Sequence, residues 1–154
     1  MNVTSKPTLQ QFHLEGVNHI SPSLAYDAVK SGEAMMLDVR EENEWLRESI
    51  ALDDILYHPM SVIMERLNHI PTDKVIIVVC KAGERSTKVA NLLNRFDYKN
   101  VANLDGGIIQ WKELGLPVES NLSAGCGCGT TTAAPKTSEP ASSCGCPGCG
   151  TGCC

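Results

Sequence analysis

Blocks of apolar residues recur along the first 118 positions, and their spacing switches between the period of a strand and that of a helix. After a polar, unpatterned extension over residues 1–16, Val17-Asn18-His19-Ile20 alternates as a short strand does. Ser21-Pro22 starts a helix, with serine as acceptor for an orphan N–H and proline at the first helical position, where no donor is needed. Leu24, Ala25, Ala28 and Val29 fall on one face of it, and Gly32 stops it. Met35–Val39 is a second strand, leading into a short helix over Glu41–Arg47 whose acidic first turn suits the helix dipole. Residues 49–60 have no firm register, although Ile55–His58 suits a strand.

Ser61 then caps a third helix in which Ile63, Leu67 and Ile70 recur at helical spacing, and Pro71 ends it. Val75-Ile76-Ile77-Val78-Val79 has no polar position, as expected of a strand buried on both faces. Arg85–Phe96 carries Val89, Leu92, Leu93 and Phe96 along one face of a helix. Val101–Leu104 is a last strand, Asp105-Gly106-Gly107 a turn, and Ile108–Leu114 a closing helix with Trp111 facing inward. Strands alternating with helices define an α/β domain over residues 17–121, a small parallel sheet flanked by helices.

Beyond Val118 the composition changes to Gly, Ser, Thr, Ala, Pro and Cys, with Lys136 and Glu139 the only charges after residue 120. No core can form from that, so residues 122–154 read as a cysteine-rich, largely disordered tail. Seven of the eight cysteines lie there, so the domain is not stapled by disulfides. A net charge of −5 with scattered cations gives no general attraction to nucleic acid or to an anionic membrane. Residues 1–16 lack a basic start with an apolar stretch, and no segment has the roughly 20 apolar residues that cross a bilayer. A cytoplasmic protein is expected.

The remaining cysteine, Cys80, follows the buried strand 75–79 and opens Cys80-Lys81-Ala82-Gly83-Glu84-Arg85-Ser86, where the next helix begins. In an open parallel sheet, chemistry gathers beyond the carboxyl ends of the strands. Gly83 is free to take φ > 0, so successive N–H groups can turn inward and join the positive end of the following helix. Such a nest, with Lys81 and Arg85 beside it, favours a thiolate.

These residues resemble the rhodanese family of single-domain sulfurtransferases over roughly residues 17–118. The likeness rests on Leu37-Asp38-Val39-Arg40-Glu41, on the Cys80–Ser86 stretch, and on Leu104-Asp105-Gly106-Gly107 followed by Trp111. It implies a small α/β fold in which Cys80 heads a six-residue loop, accepts sulfane sulfur as a persulfide and passes it to a nucleophile. Thiosulfate or a persulfide would be the donor and a thiol, cyanide or a protein the acceptor, with no cofactor required. N–H groups of Lys81, Ala82, Gly83, Glu84, Arg85 and Ser86 would hold the sulfur's charge, and the Lys81 and Arg85 side chains would attract an anionic donor. Arg85 could equally brace the helix start through a carboxylate, and Ser86 reads as a cap. Asp38 and Arg40 read as structural supports, since arginine stays charged and simple sulfur transfer requires no strong base. His13, His19, His58 and His69 have no ligand spacing.

Related dual-specificity phosphatases and arsenate reductases look like Cys-x5-Arg, whereas Cys80 to Arg85 is Cys-x4-Arg. A shorter ring of amides suits one sulfur atom better than a tetrahedral oxyanion. The chain departs from the family where Ser49-Ile50-Ala51-Leu52-Asp53 stands in place of a His-Ile-x-Gly-Ala stretch. A module that binds without catalysing is a further possibility.

In the tail, Cys126 and Cys128, then Cys144, Cys146 and Cys149, then Cys153 and Cys154 place seven thiols in 29 residues. Cys-x-Cys and Cys-x2-Cys spacings suit soft metals such as Zn(II) or Cu(I), and a sulfur or disulfide relay is the alternative. The chain could therefore be a metal or sulfur carrier whose tail works and whose domain docks it.

Overall fold

The computed structural model describes residues 2–120. Its centre is a five-stranded parallel sheet built from β1 (Asn18–Ile20), β2 (Ala34–Asp38), β4 (Ile55–Tyr57), β5 (Val75–Val79) and β6 (Val101–Leu104), in the order β1-β6-β5-β2-β4. Helix α1 (Pro22–Lys30), the short α2 (Glu42–Trp45), α3 (Glu84–Arg95) and α4 (Gly107–Glu113) complete the α/β layers. Strand β5 lies in the middle of the sheet and explains why its sequence has no polar residue. Ile76 and Val78 join Val89, Ala90 and Leu93 of α3 on one face, while Ile77 and Val79 join Ala25, Val29 and Trp111 on the other. Cys80 is the first residue past this doubly buried strand.

Two further strands, β3 (Glu48–Ile50) and β7 (Val118–Ser120), pair antiparallel, with Glu48 opposite Ser120. They were not expected: β3 occupies the stretch that had no firm register, and β7 extends the fold past the closing helix. The departure at Ser49–Asp53 thus begins on a strand that leads away from the central sheet.

The third helix expected from Ser61 to Ile70 is absent. Two 3₁₀ turns, Met60–Val62 and Leu67–His69, bury Ile63 and Ile70 instead. Backbone N–H groups there bond three residues back, Glu65 to Val62 O, Arg66 to Ile63 O and Ile70 to Leu67 O, and the Tyr98 hydroxyl also donates to Leu67 O at 2.7 Å. Ahead of these turns Met60 N–H donates to Val39 O at 3.1 Å, tying the segment to the end of β2. Ser61 caps nothing; its hydroxyl donates to the Glu41 carboxylate at 3.0 Å.

Smaller differences concern helix faces. Ser21 sits at the N-terminus of α1 without a side-chain cap bond, and Leu24 and Phe96 are exposed rather than packed. Residues 2–16 are bonded into the folded unit: Thr4 and His19 exchange N–H···O bonds of 2.8 and 2.7 Å, extending the sheet edge by an antiparallel bridge. Among the described residues no helix is long and apolar enough to cross a membrane.

Candidate active site

Cys80 is almost fully buried, 1% exposed, and its sulfur points into the loop that follows. Gly83 takes the left-handed conformation its sequence position demanded, φ +94°, and turns its N–H onto Sγ at 3.2 Å. The Ser86 hydroxyl lies 3.2 Å from Sγ and 3.1 Å from Gly83 O, so this residue, expected only to cap, also faces the sulfur. Lys81, Ala82 and Glu84 are exposed on the outside of the loop, while Gly83 and Ser86 are buried within it. Helix α3 starts at Glu84, so its positive end backs the same sulfur.

Of the loop amides expected to face the sulfur, that of Gly83 is the one bonded to Sγ among the described residues, and the loop's carbonyls are held from α4. Cys80 O accepts from Ile108 N–H at 2.9 Å and Lys81 O from Ile109 N–H at 3.2 Å, both from the first turn of α4. That approach requires Gly106 and Gly107, at φ +74° and +61°. A Cβ on Gly107 would lie 2.5 Å from Cys80 O and 2.6 Å from Lys81 O. On the far side Gly83 O receives the Thr87 hydroxyl at 2.6 Å and the Thr87 N–H at 3.1 Å.

Asp38 and Arg40 form a buried pair at the end of β2. The Arg40 guanidinium reaches Asp38 Oδ2 at 2.6 Å, Arg40 N–H donates to Oδ1 at 3.0 Å, and a remaining guanidinium hydrogen goes to Glu48 O at 3.0 Å. This joins β2 to β3. Of the two positions open to Arg85, the structure takes the bracing one: its guanidinium grips Glu44 of α2 at 2.6 and 2.7 Å. That hydrogen bonding, above all, holds the Glu44 carboxyl down to about 2.

Beside the loop opens a cleft of about 230 Å³, with Lys81, Arg47, Glu48 and Lys112 on its rim and Ile108 and Ile109 as an apolar wall. Lys112 is paired with Glu48 at 2.7 Å, whereas Arg47 and Lys81 make no ion pair among the described residues. Two cations of this cleft are thus unpaired among the described residues, Lys81 and Arg47, the second of which the sequence did not single out.

Among the described residues no three His, Cys, Asp or Glu side chains converge as a ligand group. His13 Nδ1 does lie 3.0 Å from Nε2 of the buried His19, and burial lowers the His19 pKa. His58 is buried, its pKa also lowered chiefly by burial. The seven tail cysteines, Cys126 to Cys154, lie outside the described residues.

A buried thiol thus stands at the carboxyl edge of the central parallel strand, inside a short loop anchored by a Gly-Gly helix start, on a small α/β domain. The Rhodanese-like domain model matches residues 21–114, and the chain belongs to that family. A sulfurtransferase of Allochromatium vinosum is 35% identical over 103 residues, covering 66% of this chain and 94% of that protein. A tRNA uridine(34) hydroxylase of Chlamydia caviae is 32% identical over 99 residues, but the chain spans only 30% of its length. The crystal structure of a rhodanese-related protein from Thermoplasma volcanium superposes with a TM-score of 0.60 at 32% identity, covering 66% of this chain and 96% of that one.

Proposed function

We propose that this chain is a cytoplasmic sulfurtransferase that carries sulfane sulfur as a persulfide on Cys80. The observation that carries the reading is the Cys80 sulfur held between the Gly83 N–H and the Ser86 hydroxyl, at the positive end of α3. Kinship with the Allochromatium vinosum sulfurtransferase over nearly its whole length supports it. The Cys80 thiolate attacks the outer sulfur of thiosulfate or of a persulfide; the new S–S bond forms as the old one breaks, and sulfite or a thiolate leaves with the bonding electrons. An acceptor thiolate or cyanide then attacks the outer sulfur of the persulfide, and Cys80 departs as thiolate. Both steps are displacements at sulfur, so the chemistry balances without a redox cofactor. Lys81 and Arg47 would draw an anionic donor to the mouth, and the Gly83 and Ser86 donors would hold the charge on the sulfur.

The deciding experiment is the intact mass after thiosulfate treatment, with digestion to locate an added sulfur of about 32 Da. Addition at Cys80, and loss of thiosulfate-to-cyanide transfer in a folded Cys80→Ser variant, are expected. Full transfer by Cys80→Ser would defeat the assignment.

Seven cysteines in 29 residues favour a second activity in the same chain. The tail, Cys126 to Cys154, would bind a soft metal such as Zn(II) or Cu(I) through thiolates, its Cys-x-Cys and Cys-x2-Cys pairs supplying adjacent ligands.

A further inference from the structure

Ahead of the region matched by the family, one side chain reaches the back of the catalytic loop. Thr8 N–H, Thr8 Oγ1 and Leu9 N–H converge on Asp105 Oδ2 at 2.6, 2.9 and 3.0 Å, clamping the N-terminal segment to the end of β6. Gln10 follows and inserts between β6, the Gly106–Gly107 turn and the Cys80 loop. Its Oε1 accepts from Gly106 N–H and from Asn103 Nδ2, each at 3.1 Å. Its Nε2 lies 2.6 Å from Phe12 O, 3.0 Å from Thr87 Oγ1 and 3.4 Å from Gly83 O. The orientation of the amide is fixed by chemistry, because Gly106 N–H can only donate and Phe12 O can only accept.

We propose that Gln10 is a positioning residue for sulfur transfer, holding the two outward anchors of the loop in one register. One anchor is the start of α4, whose Ile108 and Ile109 amides donate to Cys80 O and Lys81 O, two and three residues after the Gly106 that Gln10 binds. The other is Gly83 O with Thr87, on which Nε2 closes. A planar amide presents an acceptor and a donor a fixed distance apart, so it ties the two at set separation. The space is also reserved sterically: a side chain on Gly83 would run into Gln10 Oε1. With both anchors fixed, the Gly83 N–H stays aimed at the sulfur through both transfer steps.

This inference rests on the sulfur-transfer reading, and the test separates the two. Steady-state thiosulfate-to-cyanide transfer would be measured for the full chain, Gln10→Ala, the volume-conserving Gln10→Met, and Asn94→Ala. Asn94 ties another part of the same segment, donating to Gly16 O at 3.0 Å far from the loop. Both Gln10 variants should lose about five- to tenfold in kcat, with KM for thiosulfate within about twofold, because the cradle rather than the mouth is disturbed. Amide exchange at Ile108 and Ile109 should quicken in both, while Asn94→Ala keeps wild-type kcat even if its melting temperature falls equally. Wild-type kcat in either Gln10 variant, or an equal loss in Asn94→Ala, would overturn the proposal alone. Absence of transfer by the wild-type chain would remove the sulfur-transfer reading and this proposal with it.

Discussion

Arg85 grips Glu44 in a fork of two hydrogen bonds, Nη1 to Oε2 at 2.6 Å and Nη2 to Oε1 at 2.7 Å, joining the first turn of α3 to α2. The same carboxylate accepts Glu41 N–H at 3.2 Å, as half of a capping box that closes the start of α2. One acidic residue thus fixes both a helix start and the guanidinium at the end of the Cys80 loop. Lys81 and Arg47, in the cleft beside the loop, make no ion pair among the described residues.

The fork makes stability depend on acid. Glu44 titrates at about 2 rather than 4.5, chiefly through the Arg85 hydrogen bonds. A depressed folded-state value means that the stabilisation is complete above the ordinary carboxylate range and is lost as pH falls from about 4.5 towards about 2. The pair is about one-third exposed, so solvent screening keeps the effect near 1 kcal/mol. Urea unfolding at pH 6 and pH 3 should show the wild type losing more stability than Glu44→Gln by over half of that amount, the rest going below pH 3; equal losses would contradict the assignment.

Gly107→Ala should be costly for two reasons, a φ of +61° and the backbone oxygens of Cys80 and Lys81 in the path of its Cβ. A loss of about 2–4 kcal/mol is expected, together with slower transfer, because relief of the clash moves the loop. Gly115→Ala is the control: its φ is +69°, but nothing lies within 4 Å of the added carbon. It should cost only about 1 kcal/mol and leave turnover unchanged. Similar turnover in the two variants would show that the loop does not depend on the α4 contact.

Asp38→Asn would leave the Arg40 guanidinium, 3% exposed, without its counter-charge. The expected loss is about 3 kcal/mol by chemical denaturation. The double variant Asp38→Asn with Arg40→Met should recover part of it, since the uncompensated charge is gone. Strict additivity in that cycle would mean that the two side chains do not stabilise each other.

A chain ending at Asn121 should transfer sulfur as the full chain does but retain less Zn(II) or Cu(I) against a chelator under reducing conditions. The core closes within residues 2–120: Trp111 is fully buried, its indole N–H donates to Pro117 O at 3.0 Å, and β7 ends at Ser120. Equal metal retention would sink the metal-binding tail, and loss of transfer on truncation would place the tail cysteines in the sulfur path.

The features legible in the sequence were those set by neighbours along the chain. Val75–Val79 reads as a central strand because every residue must be apolar when both faces are covered. Gly83 reads as the turn residue because positive φ is open to glycine, and Cys80 stands at the strand end whatever surrounds it. Tertiary structure decided what depended on partners from elsewhere. Arg85 met a carboxylate 41 residues away and turned from the mouth. The spacing of Ile63, Leu67 and Ile70 suits a helix, yet the N–H groups bond three residues back rather than four, and two tight turns bury Ile63 and Ile70. Gln10 gave no local signal, because a polar residue in an unpatterned segment acquires its role only when the chain lays it behind the loop. Strands β3 and β7 lie outside the central sheet and are defined by pairing with each other across about 70 residues of chain. Backbone conformation follows from sterics within a few residues, whereas the partner of a charge, an amide or an edge strand follows from the path of the whole chain.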